Sequence, residues 1–487
     1  MSLLQRARVR RIAVAVHRWL GVGLCGLFLL WFASGLGMLV WDFPGVTSGD
    51  RLARSPAVDA STVAVSMADA HARLGSTMPV ARVRLGVFDR RPVYRFDIGG
   101  RERVVYADTG EPQSGISTAA LARVASAWTG RPPGLAVAER IDVDQWTVEG
   151  TFRELAPLWK YSWPTGEQVY VSETTGEVVQ YTTTASRIGA YFGPIPHWLY
   201  FTPLRRRRAL WTAVVVAASG AGAFSAVLGI LIAVTVFSPA KRYRAGGAPA
   251  AIPYRGPKRW HVALGLVFGA AAATWAFSGM LSMDPFATGS ASRIPESLLG
   301  GCDLESATAR DVRTALARAG GSVVQLECAS LAGEPLYLAT LTGGATRIVP
   351  IGGAVRSEFS ANAIAASAAG WSPGSRVADV NVVTQYDRYY LDRHRRRPLP
   401  VLLVRLDDAD GTRLYVDPKT ANVAGSYSSR QWTTRWLYHG LHSLDFPWLY
   451  ETRPSWDLIV VGFMLGGAAL SVTAIVLSWK VVTGKRS

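Results

Sequence analysis

HRWLGVGLCGLFLLWFASG, residues 17–35, and HVALGLVFGAAAATWAFSG, residues 261–279, decide how this 487-residue chain is read. Each opens on a histidine, places Gly four residues later and Trp fourteen residues later, and closes on Ser-Gly. A second pair keeps the same register. His197 and His442 stand 245 residues apart, against 244 for His17 and His261, and Trp211 and Trp456 again follow by fourteen. The chain has seven histidines, so four in register point to two paired sites rather than to scatter.

Both stretches are apolar and nearly uncharged, as are the regions around residues 209–237 and 458–479. Each is long enough to cross a hydrocarbon core of about 30 Å at about 1.5 Å per residue. We therefore expect four membrane-spanning helices, at 12–41, 209–237, 260–283 and 456–479. The first follows an Arg-rich start but runs well beyond a signal-peptide core and lacks a small-residue cleavage site, so it is read as an anchor. Cations concentrate in residues 1–18 (five Arg), in 241–259 (Lys241, Arg242, Arg244, Arg255, Lys258, Arg259) and in the tail (Lys480, Lys485, Arg486), with no acid among them. By the positive-inside rule both termini and the loop 238–259 are expected in the cytoplasm. This distribution explains most of the +17 net charge without nucleic acid.

The segments 42–208 and 284–455 are then expected outside, as two extracytoplasmic α+β domains. Each half reads helix, outer domain, helix, which makes the halves parallel repeats. SMADAHARL, TAALARVASAW, TARDVRTALARAG and ANAIAASAAGW read as amphipathic helices, and alternating strands follow each, as in PVYRFDIGGRERVVYADTGEP and EQVYVSETTGEVVQY. The Thr-Gly ending is a hairpin signal; GTRLYVDPKTANVAG repeats it with Asn422 near the glycine position. Cys302 and Cys328 share the second outer segment, where the compartment permits a disulfide, but spacing alone does not decide whether they pair. Cys25 reads as packing in the first span.

The helix-then-hairpin modules resemble PepSY domains, and the histidine-led helices resemble the transmembrane segments of the PepSY-associated membrane protein family. Some members of that family are di-haem siderophore-iron reductases of the bacterial inner membrane. The resemblance covers nearly the whole chain; the recurrence of His, Gly, Trp and Ser-Gly is its specific part. It implies two b-type haems, one near each membrane face, passing electrons outward to a ferric chelate.

Neutral imidazole is a good iron ligand, and haem fixed by two imidazoles suits electron transfer. His17 with His261 is expected to hold the inner haem, and His197 with His442 the outer one. His439 lies three residues before His442 and competes with it, although register favours His442, since Pro194 occupies the matching place in the first half. Gly21 and Gly265, one turn from their histidines, are expected to let a flat ring lie against the helix. Arg205 and Arg206, in an Arg run on the outer side, are candidates for haem propionates, an anionic substrate or lipid phosphates. The Arg-rich stretch 393–397 extends the same field. Trp31 and Trp275 read as belt or packing residues, Ser34, Gly35, Ser278 and Gly279 as close packing between helices, His71 as structural and His394 as surface. Gly21, Gly23 and Gly26 match a dinucleotide-binding pattern, but no strand precedes them. The electron donor, a quinol or a separate reductase, stays open. Two rival readings are a haem-free sensor or regulatory anchor, and a transporter, the latter disfavoured because no intramembrane carboxylate pair accompanies the four spans.

Overall fold

The computed structural model describes residues 3–245, 248–286, 294–304, 308–371 and 374–484. Lys485 and Arg486, counted above among the tail charges, lie outside them. Four helices are long and apolar enough to cross a membrane, the mark of a multi-pass membrane protein: α1 (Leu3–Gly37), α2 (Arg208–Val236), α3 (Gly256–Leu281) and α4 (Ser455–Val482). The sequence places all four within a few residues, apart from the start of α1. That helix takes in the Arg6–Arg11 stretch, because arginine is a strong helix former and no breaker separates the charges from the apolar run. Pro257 sits in the first turn of α3, where its missing N–H costs nothing.

α1 packs along α2 and α4, and α3 does the same, so α1 and α3 face each other diagonally across a four-helix bundle. Small residues permit the contact. A Cβ on Gly466 would lie 2.4 Å from the Phe268 ring and one on Gly467 2.3 Å from Phe32, so each phenyl ring rests directly on the α4 backbone. The outward faces carry exposed apolar side chains such as Phe224, Leu231, Val267 and Leu465, as a lipid-facing surface requires.

The bundle belongs to one compact unit, Met1–Phe43, Ala185–Ser290 and Gln431–Ser487; the other comprises Pro44–Thr184 and Ala291–Arg430. In the latter, the four stretches read as amphipathic helices are helices Met67–Ala72, Thr118–Thr129, Ala309–Ala319 and Ala361–Trp371. Each precedes an antiparallel meander: β1 (Val80–Phe88), β2 (Arg91–Ile98) and β3 (Arg101–Tyr106); β4 (Val137–Ile141), β5 (Leu158–Ser162), β6 (Gln168–Ser172) and β7 (Val178–Thr182); β8 (Val323–Leu331), β9 (Glu334–Leu341) and β10 (Thr346–Pro350); β11 (Val377–Val383), β12 (Val401–Leu406), β13 (Arg413–Val416) and β14 (Val423–Tyr427).

Segments treated above as two domains meet in one sheet. β1 and β8 are edge strands of their own meanders, and they pair antiparallel through Val83↔Cys328, Arg84↔Glu327 and Leu85↔Leu326, giving the order β10-β9-β8-β1-β2-β3. Pairing removes two exposed edges at once. A common core lies against this sheet, with Val63, Met67 and Leu85 from one segment and Val312, Leu316 and Leu326 from the other. Cys302 and Cys328 form a disulfide with Cα atoms 5.1 Å apart, which answers the question the spacing left open. One detail of the hairpins differs from expectation. At the β13–β14 turn the left-handed residue is Ala421 (φ 56°), the place that Gly110 and Gly176 hold in the other modules, and not Asn422. Ala421 is fully buried, so the small methyl side chain is accepted where Asn would be too large.

Candidate functional site

His17 on α1 and His261 on α3 approach each other across the bundle, with ring centroids 6.2 Å apart and planes inclined by 42°. Beside His17 the α2 backbone comes so close that a Cβ on Gly229 would lie 2.6 Å from His17 Cε1. One turn along from the histidines, a Cβ on Gly21 would meet nothing within 4 Å and one on Gly265 only Leu470 Cδ1 at 3.9 Å. The helix face one turn from each histidine is therefore open.

His197 and His442 form the second pair, with centroids 6.0 Å apart. Neither lies on a long helix. His197 sits on the five-residue helix Pro194–Trp198, which ends at Leu199 in the left-handed region (φ 53°). His442 sits on Leu441–Ser443, after a π-helical stretch Thr433–Gly440, and ends at Leu444 (φ 51°). A left-handed leucine costs about 1–2 kcal/mol, and π-helical turns concentrate at functional sites. Both ends are capped alike: Trp211 Nε1 donates to the carbonyl of Trp198 at 2.9 Å, and Trp456 Nε1 to that of Ser443 at 3.2 Å. The tryptophan fourteen residues beyond each histidine thus fixes the residue directly after it.

The second ring nitrogens settle the tautomers. Ser34 Oγ spends its proton on the Leu30 carbonyl at 2.6 Å, so at 3.2 Å it accepts from His197 Nδ1, beside the Trp31 carbonyl, also 3.2 Å away. Ser278 Oγ donates to the Trp275 carbonyl and accepts from His442 Nδ1 at 3.0 Å. Thr473 Oγ1 donates to the Leu470 carbonyl at 2.6 Å and accepts from His261 Nδ1 at 3.1 Å. His17 Nδ1 donates to the Ser225 carbonyl at 3.0 Å. In every case Nδ1 carries the proton, and the Nε2 lone pair is left for a ligand bond. Such an outer hydrogen bond is what orients a metal-binding imidazole.

The two pairs lie at opposite ends of the bundle. His17 to Ser34, and His261 to Ser278, is seventeen residues on one helix each, about 25 Å at about 1.5 Å per residue. Between them Phe28, Phe32, Trp275 and Phe463 form a chain of aromatic contacts with ring centroids 5.8–6.4 Å apart.

His442 is the residue that faces His197, while the ring of His439 lies tilted against Tyr438 with centroids 4.7 Å apart. Arg205 is drawn over the rings of Trp211 (4.4 Å) and Tyr200 (5.0 Å), and Arg206 is exposed beside it. His71 packs on Phe96 in the other unit. His394 is exposed, in a loop whose Asp392 carboxylate accepts the backbone N–H groups of His394, Arg396 and Arg397. Sequence reasoning assigned Ser34 and Ser278 to helix packing and missed Ser225 and Thr473. The repeat of Ser at the same distance from each opening histidine was the signal available for the first two.

Among the described residues no group of three or more His, Cys, Asp or Glu side chains is placed to hold a metal ion. Comparison with protein-family models, with curated proteins and with solved structures finds no match.

Proposed function

We propose that this chain is a di-haem b oxidoreductase of the bacterial inner membrane, passing electrons across the bilayer to an extracytoplasmic ferric chelate in siderophore-iron uptake. The observation that carries the reading is the pair of facing imidazoles at each end of the bundle, each with its Nδ1 at hydrogen-bond distance from a serine or threonine oxygen. With a metal–nitrogen bond of about 2.0 Å and the nitrogen about 1.1 Å from its ring centroid, two imidazoles on opposite sides of one metal have centroids about 6.2 Å apart. The separations of 6.2 and 6.0 Å fit that arrangement. The open helix faces at Gly21 and Gly265 would accommodate a flat macrocycle held by the inner pair of imidazoles.

When bound, each haem, held by His17 with His261 or by His197 with His442, would supply a one-electron iron centre suited to electron transfer rather than oxygen binding. The chain's own contribution is to hold and insulate. Ser34, Ser225, Ser278 and Thr473 fix the imidazoles, the four helices exclude water, and the chain of aromatic contacts lies between the two ends. In this reading the two halves are parallel repeats, the meander modules are PepSY-like, both termini are cytoplasmic and the sheet-bearing unit is periplasmic. A membrane quinol or a separate reductase is the electron donor.

The test is a haem count on the full-length protein purified after haem-replete expression. Two haems b per chain are expected, with the sharp α band of a low-spin centre on reduction, and one haem after His17→Ala or His442→Ala. A colourless protein, or variants that retain both haems, would overturn the reading in favour of a haem-free sensor.

A further inference from the structure

The bundle carries two arginine clamps, and they differ in one respect. In the second half Arg453 lies 4.9 Å from the Trp456 ring and 5.7 Å from that of Tyr450, and its charge is balanced by Asp457, 3.3 Å away. In the first half Arg205 lies 4.4 Å from Trp211 and 5.0 Å from Tyr200. The residue after Trp211, where the second half has Asp457, is Thr212. Arg205 makes no ion pair among the described residues, and its Nε is buried without a hydrogen-bond partner. Its neighbours Arg207 and Arg208 are of the same sign and exposed. A guanidinium N–H withdrawn from water and left unbonded is unfavourable, so an anion beside Arg205 Nε would complete the site.

The position of Arg205 says where that anion comes from. Trp211, on which Arg205 lies, donates its indole N–H to the carbonyl of Trp198, the residue next to His197. The unbalanced arginine is thus two contacts from the backbone of Trp198, the neighbour of His197 in the second histidine pair. We propose that Arg205 is the counter-ion of a carboxylate on the cofactor held by His197 and His442, while Arg453, already neutralised by Asp457, is a structural clamp. This rests on the haem reading above, since haem b carries two such carboxylates. It adds an asymmetry that the matching histidines do not have: one side of that cofactor has its negative charge compensated by the protein. Compensation favours the reduced state, because an uncompensated carboxylate stabilises the cationic ferric centre.

The experiment is a redox titration, followed by the α band, of full-length protein in nanodiscs with Arg205→Gln, Arg205→Lys and Arg453→Gln, each with its haem count and bound phospholipid measured. Arg205→Gln should keep two haems but move one of the two midpoint potentials downward. Arg205→Lys should restore most of the shift, and Arg453→Gln should leave both potentials in place. Unmoved potentials in a two-haem Arg205→Gln protein would overturn the proposal, and loss of phospholipid instead would give the arginine to a lipid phosphate. Equal shifts from Arg453→Gln would reduce the effect to general surface charge. Loss of the second haem alone from Arg205→Gln, with Arg205→Lys retaining it, supports the proposal by affinity rather than potential. Absence of haem from the unmutated protein would refute the underlying reading instead.

Discussion

A glycine and two serines carry the sharpest residue-scale consequences. Gly229 is required because any Cβ there would press on His17 Cε1 at 2.6 Å and on both ring nitrogens at 3.2 Å. Gly229→Val is therefore expected to expel His17 from its pairing and to halve the haem count. Gly23→Ala, on a helix face where a Cβ meets nothing within 4 Å, should leave both haems bound. Retention of two haems by Gly229→Val would show that His17 is not a ligand. Ser34→Ala and Ser278→Ala remove the hydroxyl acceptor but leave the neighbouring helix carbonyl to take the Nδ1 proton. Loss of such an orienting group typically costs 10–100-fold in metal affinity. With the carbonyl retained, we expect roughly a 10-fold weaker haem affinity at the second pair, read by titrating haem into apoprotein. An unchanged affinity in both variants would return these serines to the packing role that the sequence suggests.

At the scale of elements, the long helices were legible and the short ones were not. A run of about twenty apolar residues has few alternatives, and charge at the flanks marks where it ends. The histidine-bearing turns at 194–198 and 441–443 have no periodicity to read, and their geometry depends on tertiary contacts. Two left-handed leucines and a π-helical stretch are held there by caps from Trp211 and Trp456, one from each following helix. The spacing from histidine to tryptophan was visible; that the indole N–H reaches back across the turn was not. The pairing of β1 with β8 was hidden for a similar reason, since an alternating strand pattern says nothing about which edge it will meet. Trp456→Phe tests the cap while keeping the aromatic bulk beside Tyr450. We expect a loss of about 1 kcal/mol, the worth of one such hydrogen bond, together with faster haem release from the second pair. If haem release is unaffected, the cap serves the fold alone.

For the whole molecule, the unit built from 44–184 and 291–430 is held by connections that cross from one segment to another. Arg82 pairs with Glu327 at 2.6 Å across the β1–β8 seam, next to Cys328 of the disulfide. Closing a loop of 26 residues in sequence is worth about 3–4 kcal/mol by chain entropy, so Cys302→Ser should lower the unfolding free energy by roughly that amount. A second network ties the first meander to the next module. Buried Arg95 pairs with Glu102 at 2.6 Å and Glu177 at 3.6 Å; Arg84 also binds Glu102, and Arg51 approaches Glu177 at 3.7 Å. Burial works against the Glu177 charge, but Arg95, Arg84 and Arg51 together outweigh it and hold its carboxyl below the ordinary glutamate value. A depressed carboxyl contributes stability that is fully present above the unfolded-state value, about 4.3, and is lost as pH falls through the folded-state value. Resistance to denaturant should accordingly stay level from neutral pH to about pH 5 and decline below about pH 4. Glu177→Gln should lower that plateau, by an amount at or below the lower end of the roughly 3–5 kcal/mol for breaking a buried pair, because Glu177 keeps 25% of its side chain exposed. It should also flatten the acid decline, since the titrating group is gone. Denaturant midpoints of this variant measured from pH 3 to 7 decide the matter: an unchanged plateau with the acid limb intact would mean that the network does not join the modules energetically.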